Sequence, residues 1–349
     1  MLSLSSYTPV VITAIRVEVP GVKTFTLSYA DGPPIAYRAG QFITFVFQHH
    51  GREERRSFSI SSCPDTGEPL SITVKRVDNG AYSRLLTDKA QAGDMLYTTG
   101  VAGLFVLPAD MSSIQQVFLF AAGIGITPVF SLLKSLLTTQ PATFVTLIYS
   151  NRVAGEVAFF NELEELRRRF PSRLAIEYLM STSFNLARAR LNKALVPILL
   201  QEYSRVPPVQ QLFYICGPYT YMRMVIYALE EHGIKDEQIR KENFNTDERT
   251  VTVAAPPDKD PHQVTLVHNG ERRTITVQFP ETILQAAQRN GIALPYSCEA
   301  GRCGSCAARC LQGKVWLSYN EVLMDTDLKH GSILTCTGYP VGGDVEIDV

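Results

Sequence analysis

"PYSCEAGRCGSC", residues 295–306, places three cysteines among small residues near the end of a 349-residue chain. Cys298, Cys303 and Cys306 follow the spacing C-x4-C-x2-C, and Cys336 in "ILTCTGYP" is a fourth cysteine downstream. This spacing is typical of plant-type domains that hold a [2Fe–2S] cluster through four thiolates. The pattern therefore predicts an iron–sulfur site formed by these four cysteines.

The loop between these cysteines must curl tightly, because backbone N–H groups have to face the sulfur atoms. Gly301 and Gly304 permit this, since glycine adopts a positive φ without a steric penalty. Two other interpretations are a structural zinc site and a redox disulfide between Cys303 and Cys306. Both are less favoured, because a zinc ribbon usually supplies two C-x2-C pairs and a thioredoxin-like motif belongs to a different fold.

Composition excludes several classes of function. The chain has 33 basic and 34 acidic residues and a net charge of -1, so no overall field favours nucleic acid or anionic lipid. It shows neither a signal-peptide pattern nor an apolar stretch of membrane-spanning length, which predicts a cytoplasmic protein without membrane insertion. Seven cysteines in so long a chain indicate reduced thiols or metal ligands rather than disulfides. Cys63 and Cys310 are predicted to be small buried thiols.

The chain divides into differently patterned blocks. Residues 1–110 contain short β-type runs such as "QFITFVFQ" and "LSITVKRV" between turn residues, which predicts an antiparallel barrel. Residues 111–245 alternate apolar strands with helical segments, as in a doubly wound parallel sheet. Residues 246–262 have the composition of a linker. Residues 263–349 form a third domain, with a hairpin turning at Asn269-Gly270 and then a short helix closed by Gly291.

A nucleotide-binding loop is predicted in "FAAGIGITPVFSLLKSLL", where an apolar strand runs into Gly123 and Gly125. Thr127 and Pro128 stand where a helix N-cap and first turn belong, and a pyrophosphate could rest on the amides there. The third glycine of G-x-G-x-x-G is absent, and a plain strand-to-helix turn would explain the stretch equally well. "QLFYICGP" ends in Cys216-Gly217-Pro218 at the predicted carboxyl edge of the same sheet, where open α/β folds bind ligands.

The first block contributes "RRSFSI", in which Arg56, Phe58 and Ser59 offer a cation, a flat aromatic ring and a hydroxyl. These groups suit a phosphate, an isoalloxazine face and a flavin ring nitrogen. A solvated strand face over a core face would show a similar pattern.

Together these motifs resemble the ferredoxin–NADP reductase superfamily over residues 1–245, fused to a plant-type ferredoxin domain over 263–349. The resemblance lies in "RSFS", "VKRVDNGAYS", "GIGITP" and Cys216-Gly217-Pro218, in that order. "AGQF", "YSNR" and "ENFNT" are similar to segments of oxygenase reductases. The implied fold is a flavin-binding antiparallel β-barrel, a doubly wound α/β nucleotide domain and an α+β domain of β-grasp type.

The resemblance implies the following sites. Flavin contacts are assigned to Arg56, Ser57, Phe58, Ser59, Val74, Lys75, Gly80, Tyr82, Ser83 and Phe244. Nicotinamide-nucleotide contacts are assigned to Gly123, Gly125, Thr127, Pro128, Ser150, Asn151, Arg152, Cys216, Gly217 and Pro218. Ser59 would lie near flavin N5 and Cys216 near the nicotinamide, as positioning residues. FAD is preferred to FMN because Gly80–Ser83 is similar to a segment that holds the FAD pyrophosphate.

The implied function is an electron relay from NAD(P)H through flavin and a [2Fe–2S] cluster to an iron-dependent oxygenase, hydroxylase or desaturase. NADPH is preferred to NADH because Arg152 could meet a 2′-phosphate. Two residues depart from the family pattern: Phe58 replaces the usual tyrosine, and Glu299 stands where photosynthetic ferredoxins carry arginine. The alternatives are a redox-sensing or tethering module and a stand-alone quinone or dye reductase.

Overall fold

A computed structural model describes residues 7–30, 35–49, 52–244, 255–268 and 270–349. The chain forms two compact units, residues 1–243 and residues 244–349. The first nine residues of the predicted linker, 246–254, lie outside the described residues, and so does Asn269. None of the helices in the described ranges combines the length and the apolar composition needed for a membrane crossing.

The first unit begins with the predicted antiparallel barrel, which the structure confirms. Six strands pair in the order β4-β3-β6-β1-β2-β5. Their bounds are β1 Thr8–Val19, β2 Val22–Tyr29, β3 Phe42–His49, β4 Arg52–Ser59, β5 Ser71–Lys75 and β6 Met95–Ala102. A bridge between Ile60 and Ile72 joins the two edges. Closure leaves Ile12, Phe25 and Phe45 fully buried inside the barrel.

A short helical segment packs against the barrel core. Helix α1, Ala81–Arg84, continues as a π-helical stretch, Leu85–Lys89. Tyr82 and Leu86 from this segment are buried within the barrel cluster. The segment thereby places the turn at Gly80 beside strand β5.

The second half of the first unit is the predicted doubly wound parallel sheet. Five strands lie in the order β11-β10-β7-β8-β9, and every neighbouring pair is parallel. Their bounds are β7 Gln116–Ala122, β8 Phe144–Asn151, β9 Leu174–Met180, β10 Gln211–Cys216 and β11 Ile239–Glu242. The helices are α2 Ile126–Thr139, α3 Phe160–Arg169, α4 Leu195–Tyr203 and α5 Tyr219–Glu231.

Alternation along β7 builds a core on both faces of this sheet. Val117 and Leu119 pack in the cluster with α2 and α3, whereas Phe118 and Phe120 pack in the cluster with α4 and α5. The chain order reverses between β7 and β10, so the sheet has a topological switch point there.

The second unit is an α+β domain. Its five-stranded sheet has the order β13-β12-β18-β14-β16, in which β12 and β18 are parallel and the other neighbours are antiparallel. The bounds are β12 His262–His268, β13 Glu271–Val277, β14 Ala307–Gln312, β15 Val315–Leu317, β16 Ser332–Leu334, β17 Gly338–Pro340 and β18 Val345–Asp348. The helices are α6 Ile283–Arg289 and α7 Asp325–Lys329.

Helix α6 begins where its sequence requires. The Thr282 hydroxyl accepts from the Gln285 N–H at 3.3 Å, and the Gln285 side chain accepts from the Thr282 N–H at 3.0 Å.

The sequence predicts that Cys63 and Cys310 are buried thiols. This holds for Cys63, which is fully buried. It is wrong for Cys310, which is only half-buried because it packs at the margin of the second unit's core.

Candidate functional site

Two loops meet at the carboxyl edge of the parallel sheet. Cys216, the last residue of β10, is in register with Ala121 of β7. A Cβ on Gly125 would lie 2.3 Å from the Cys216 carbonyl oxygen, and a Cβ on Gly217 would lie 2.9 Å from the Cβ of Ala122. The "GIGITP" loop and the Cys216-Gly217-Pro218 loop are therefore in direct contact at the switch point. Because the two backbones approach so closely, only glycine fits at positions 125 and 217.

The start of helix α2 differs from the predicted one. Gly123–Gly125 form a 3-10 turn that runs directly into the helix at Ile126, so Gly125 occupies the N-cap position. Thr127 and Pro128 therefore lie within the first turn, and the prediction of Thr127 as N-cap is wrong. The Thr127 hydroxyl donates instead to the Ile124 carbonyl at 2.9 Å.

The end of β8 lies next to this loop. The Tyr149 hydroxyl donates to the Gly123 carbonyl at 3.3 Å, and Ser150 and Asn151 follow it on the strand. Within the described part of the chain, the buried Ser150 hydroxyl and Asn151 side-chain nitrogen form no hydrogen bond of standard geometry, although the hydroxyls of Tyr221 and Tyr149 lie near them. Polar atoms left in this way at a strand end fit a ligand that supplies the partners. Arg152 is exposed just beyond them.

Strand β4 carries the predicted flavin motif on both of its sides. The Arg56 guanidinium lies 5.1 Å from the centre of the Tyr82 ring and 3.0 Å from the Glu54 carboxylate. Phe58 packs against the barrel cluster, with its ring centre 6.0 Å from that of Phe45. Arg56 and Phe58 thus share one side of the strand. On the other side, the Ser57 hydroxyl is 2.9 Å from that of Thr44.

Ser59 ends β4 and reaches the parallel sheet. Its hydroxyl donates to a carboxylate oxygen of Glu242 at 3.0 Å. Glu242 is the last residue of β11 and is in register with Cys216 of β10. The structure therefore brings the two predicted positioning residues, Ser59 and Cys216, to the same carboxyl group.

Burial controls the protonation of this group. It raises the pKa of Glu242 to about 8, although the Ser59 hydrogen bond acts in the opposite direction. Burial also raises the pKa of the Cys216 thiol, and the neighbouring Glu242 adds to that effect. Glu242 holds its proton at neutral pH and Cys216 is a neutral thiol, so neither presents a negative charge there.

Four of the remaining predicted flavin contacts, Val74, Lys75, Gly80 and Ser83, lie on the barrel or in the turn and helix α1 that follow β5. The Ser83 hydroxyl donates to the Gly80 carbonyl at 3.1 Å and accepts from the Val77 N–H at 3.2 Å, which closes the turn before α1. Val74 is buried in the barrel core and Lys75 is exposed. Phe244 is the first residue of the second unit, and 40% of its surface is exposed. The flavin roles of all these residues stay predictions.

The four predicted ligand cysteines lie in the second unit as two pairs. The sulfur atoms of Cys306 and Cys336 are 3.1 Å apart. The Cys303 thiol is hydrogen-bonded to the Cys298 sulfur and, with N–H groups that include those of Ala300 and Arg302, lowers the pKa of Cys298 below its ordinary value. Two pairs of thiols fit a two-iron centre in which each iron takes two thiolates.

The backbone of the cysteine loop curls as the sequence predicts. Gly301 and Gly304 have φ values of 68° and 75°. A Cβ on Gly301 would lie 2.7 Å from the Tyr319 carbonyl oxygen. The N–H groups of Ala300 and Ser305 approach the sulfur atoms of Cys298 and Cys303 at 3.5 Å. These N–H groups favour thiolates, as the donor set of an iron–sulfur site requires.

Three known protein families match successive parts of this chain. Residues 12–107 match the oxidoreductase FAD-binding domain, residues 119–226 match the oxidoreductase NAD-binding domain, and residues 266–341 match the 2Fe-2S iron-sulfur cluster binding domain.

Two curated relatives align over nearly the whole chain. One subunit of the 1,2-phenylacetyl-CoA epoxidase from Escherichia coli (strain K12) is 30% identical over 97% of this chain and 96% of the relative. The chain belongs to this family of flavin and iron–sulfur reductases. The 3-ketosteroid-9-alpha-monooxygenase ferredoxin reductase component of Rhodococcus rhodochrous is 31% identical, over 97% of this reductase and 95% of the relative.

Two solved structures share this fold over nearly the whole of this chain. Phthalate dioxygenase reductase, described as modular for electron transfer from pyridine nucleotides to [2Fe-2S], has a TM-score of 0.60 and 23% identity. The alignment covers 99% of this reductase and 98% of that chain. An intact type IV self-sufficient cytochrome P450 monooxygenase has a TM-score of 0.71 and 20% identity, with 99% of this reductase and 41% of that chain covered.

Glu242 is the residue that sequence reasoning missed when it assigned the site of this reductase. It lies in "ENFNT", which contributed to the family resemblance, but "IRKE" has too little apolar character to indicate a strand. The available signal was position: a carboxylate that ends the last strand of a parallel sheet lies at the ligand-binding edge.

Proposed function

We propose that this reductase is the electron-supplying component of an oxygenase system, and that it uses the residues described above to pass electrons from NAD(P)H to an iron-dependent oxygenase, hydroxylase or desaturase. The observation that carries the proposal is the Ser59–Glu242 hydrogen bond of 3.0 Å beside Cys216. It supports a single reaction site shared by the barrel and the nucleotide sheet.

The residues of the first unit would bind and orient the two cofactors. Arg56 is suited to a flavin phosphate because it is exposed and cationic, and Ser59 is suited to a ring nitrogen because its hydroxyl can donate or accept. Gly123, where an added Cβ would meet nothing within 4 Å, leaves the backbone open for a pyrophosphate at the start of α2, and Gly125 lets this loop pack on Cys216. Cys216 ends β10 beside this loop, at the edge of the sheet where a nicotinamide would lie. A bound flavin supplies two-electron acceptance from NAD(P)H and one-electron release.

Glu242 would hold a proton at this site. With its pKa raised to about 8, the carboxyl group is neutral at physiological pH. A neutral carboxyl adjacent to Ser59 does not oppose the negative charge that arrives with a hydride. Ser59, Cys216 and Glu242 act here by positioning and by controlling charge.

The cysteines of the second unit would hold the iron–sulfur centre from which electrons leave the protein. Cys298 with Cys303, and Cys306 with Cys336, are paired as ligands for two irons. The relatives' names are those of parts of an epoxidase and a monooxygenase, which supports an oxygenase as the acceptor. We further propose a cytoplasmic location, and NADPH in preference to NADH because of Arg152.

The deciding experiment uses the full-length protein. We expect a yellow-brown protein that releases FAD on denaturation and contains two irons and two acid-labile sulfides per chain. It should oxidise NADPH only slowly without an electron acceptor, and rapidly once an oxygenase component is added. Zinc in place of iron would contradict the proposal. Rapid turnover with quinones or dyes and none with any oxygenase would favour the stand-alone reductase.

A further inference from the structure

The segment Ser318–Leu323 contacts both parts of the cysteine set in the second unit. The Glu321 N–H donates to the Gly301 carbonyl at 2.9 Å, inside the cysteine loop. The hydroxyl of Thr337, the residue after the fourth cysteine, donates to the Tyr319 carbonyl at 2.8 Å. These two hydrogen bonds therefore hold the segment against the predicted cluster site.

An ion pair is buried at the same place. The Arg302 side chain, from the cysteine loop, is only 8% exposed, and its Nε is 3.6 Å from a carboxylate oxygen of Glu321, whose side chain is 18% exposed. The guanidinium lies 5.8 Å from the centre of the Tyr319 ring, and the Tyr319 hydroxyl donates to the Glu321 carboxylate. Apolar replacement of buried ion pairs is often neutral or stabilising, so stability alone is a weak reason for this pair.

We propose that the Arg302–Glu321 ion pair sets the reduction potential of the iron–sulfur centre, an inference that rests on the proposed [2Fe–2S] site. Arg302 lies between Gly301 and the predicted ligand Cys303, and its N–H is hydrogen-bonded to the Cys298 sulfur. The backbone of Arg302 is thus fixed beside a ligand, and the contact with Glu321 holds its guanidinium in a part of the domain that excludes water.

The sign of the effect follows from charge. Reduction by one electron adds a negative charge to a group that already carries four thiolates. A cation held in a low-dielectric environment favours the reduced form and raises the potential, whereas an anion lowers it. Arg302 therefore raises the potential, and Glu321 holds the guanidinium in place while partly offsetting its charge.

The test measures the potential of the full-length holoprotein by redox titration followed by electron paramagnetic resonance. Arg302→Met should lower the potential and Glu321→Gln should raise it. Each should change the ratio of oxidised to reduced centre at least tenfold at fixed potential, which corresponds to about 59 mV for a one-electron couple. Arg302→Lys keeps the charge and should stay close to the parent.

A matched surface pair provides the control. Arg273 and Glu271 form an ion pair of 3.0 Å in the same unit, with side chains 57% and 71% exposed. Arg273→Gln and Glu271→Gln should leave the potential nearly unchanged, and any shift should vanish at high salt, whereas the shifts at Arg302 and Glu321 should persist.

Shifts of the same sign in Arg302→Met and Glu321→Gln, or shifts no larger than those of the control pair, would show that the pair is only a structural brace. If Arg302→Met fails to retain its iron, the sign of the Glu321→Gln shift decides alone, and a fall or no change overturns the proposal. A parent protein without iron and sulfide would instead overturn the proposed cluster site itself.

Discussion

The Ser59 hydroxyl donates a hydrogen bond of 3.0 Å to Glu242, so that the last residue of β4 meets the last residue of β11. The barrel and the parallel sheet are joined by this contact at the edge of the sheet where Cys216 ends β10. Burial keeps the Glu242 carboxyl protonated at neutral pH, with a pKa of about 8.

Glu242→Gln should remove a pH dependence from hydride transfer. As the pH rises through about 8, the parent carboxyl loses its proton and a negative charge appears beside Ser59. Because a hydride brings further negative charge to the bound flavin, its transfer should slow in this range. Stopped-flow bleaching of the flavin by NADPH measures the rate. A decline that persists unchanged in Glu242→Gln would assign it to another group.

The same carboxyl should affect folding stability. Its pKa in the folded protein lies above the ordinary value of 4.5, so the folded state holds a proton that the unfolded chain releases. The stabilisation is complete below the unfolded pKa and is lost as the pH rises through about 8. Glu242→Gln should therefore gain stability relative to the parent between acidic pH and pH 8, as measured by thermal unfolding. Glu237→Gln, at an exposed position, should show no such trend.

Gly125→Ala should distort the nucleotide loop. Its Cβ would lie 2.3 Å from the Cys216 carbonyl oxygen, a backbone atom that cannot move independently of β10. We expect about 1 to 3 kcal/mol of destabilisation, as for other overpacked sites, together with weaker NADPH binding. The control is Gly155→Ala, where an added Cβ meets nothing within 4 Å. Tight NADPH binding by Gly125→Ala would show that the two loops separate easily.

Local patterns predicted much of this molecule, and contacts between distant segments account for the rest. The alternation of apolar strands with helical segments over residues 111–245 predicted the parallel sheet, and the cysteine spacing predicted the four cysteines that the structure places as two pairs. Strand β11 was missed because "IRKE" is mostly charged and becomes a strand by pairing with β10. The meeting of Ser59 with Glu242 spans 183 residues, which no local pattern records.

Arg152→Ala should weaken NADPH binding more than NADH binding. The exposed Arg152 follows β8 directly, and its carbonyl oxygen accepts from Thr182, which fixes the backbone there. Loss of a charge-assisted contact to a 2′-phosphate typically costs about 1.5 to 3 kcal/mol, or roughly 10- to 150-fold in Kd. Titration calorimetry with both nucleotides measures this. Arg168→Ala, on the exposed face of α3, is the control, and equal losses for NADPH and NADH would remove the preference.

Cys303→Ser should separate the two halves of the relay. Serine is nearly isosteric with cysteine but is a poor iron ligand, so the cluster should be lost while the first unit, with its own core, stays folded. Flavin bleaching by NADPH and ferricyanide reduction should survive, whereas reduction of cytochrome c or of the oxygenase partner should fail. Cys310→Ser, at a half-buried position outside the paired thiols, should behave like the parent. If cluster-free Cys303→Ser reduces the partner at the parental rate, electrons leave from the flavin directly, and the cysteine domain serves sensing or tethering.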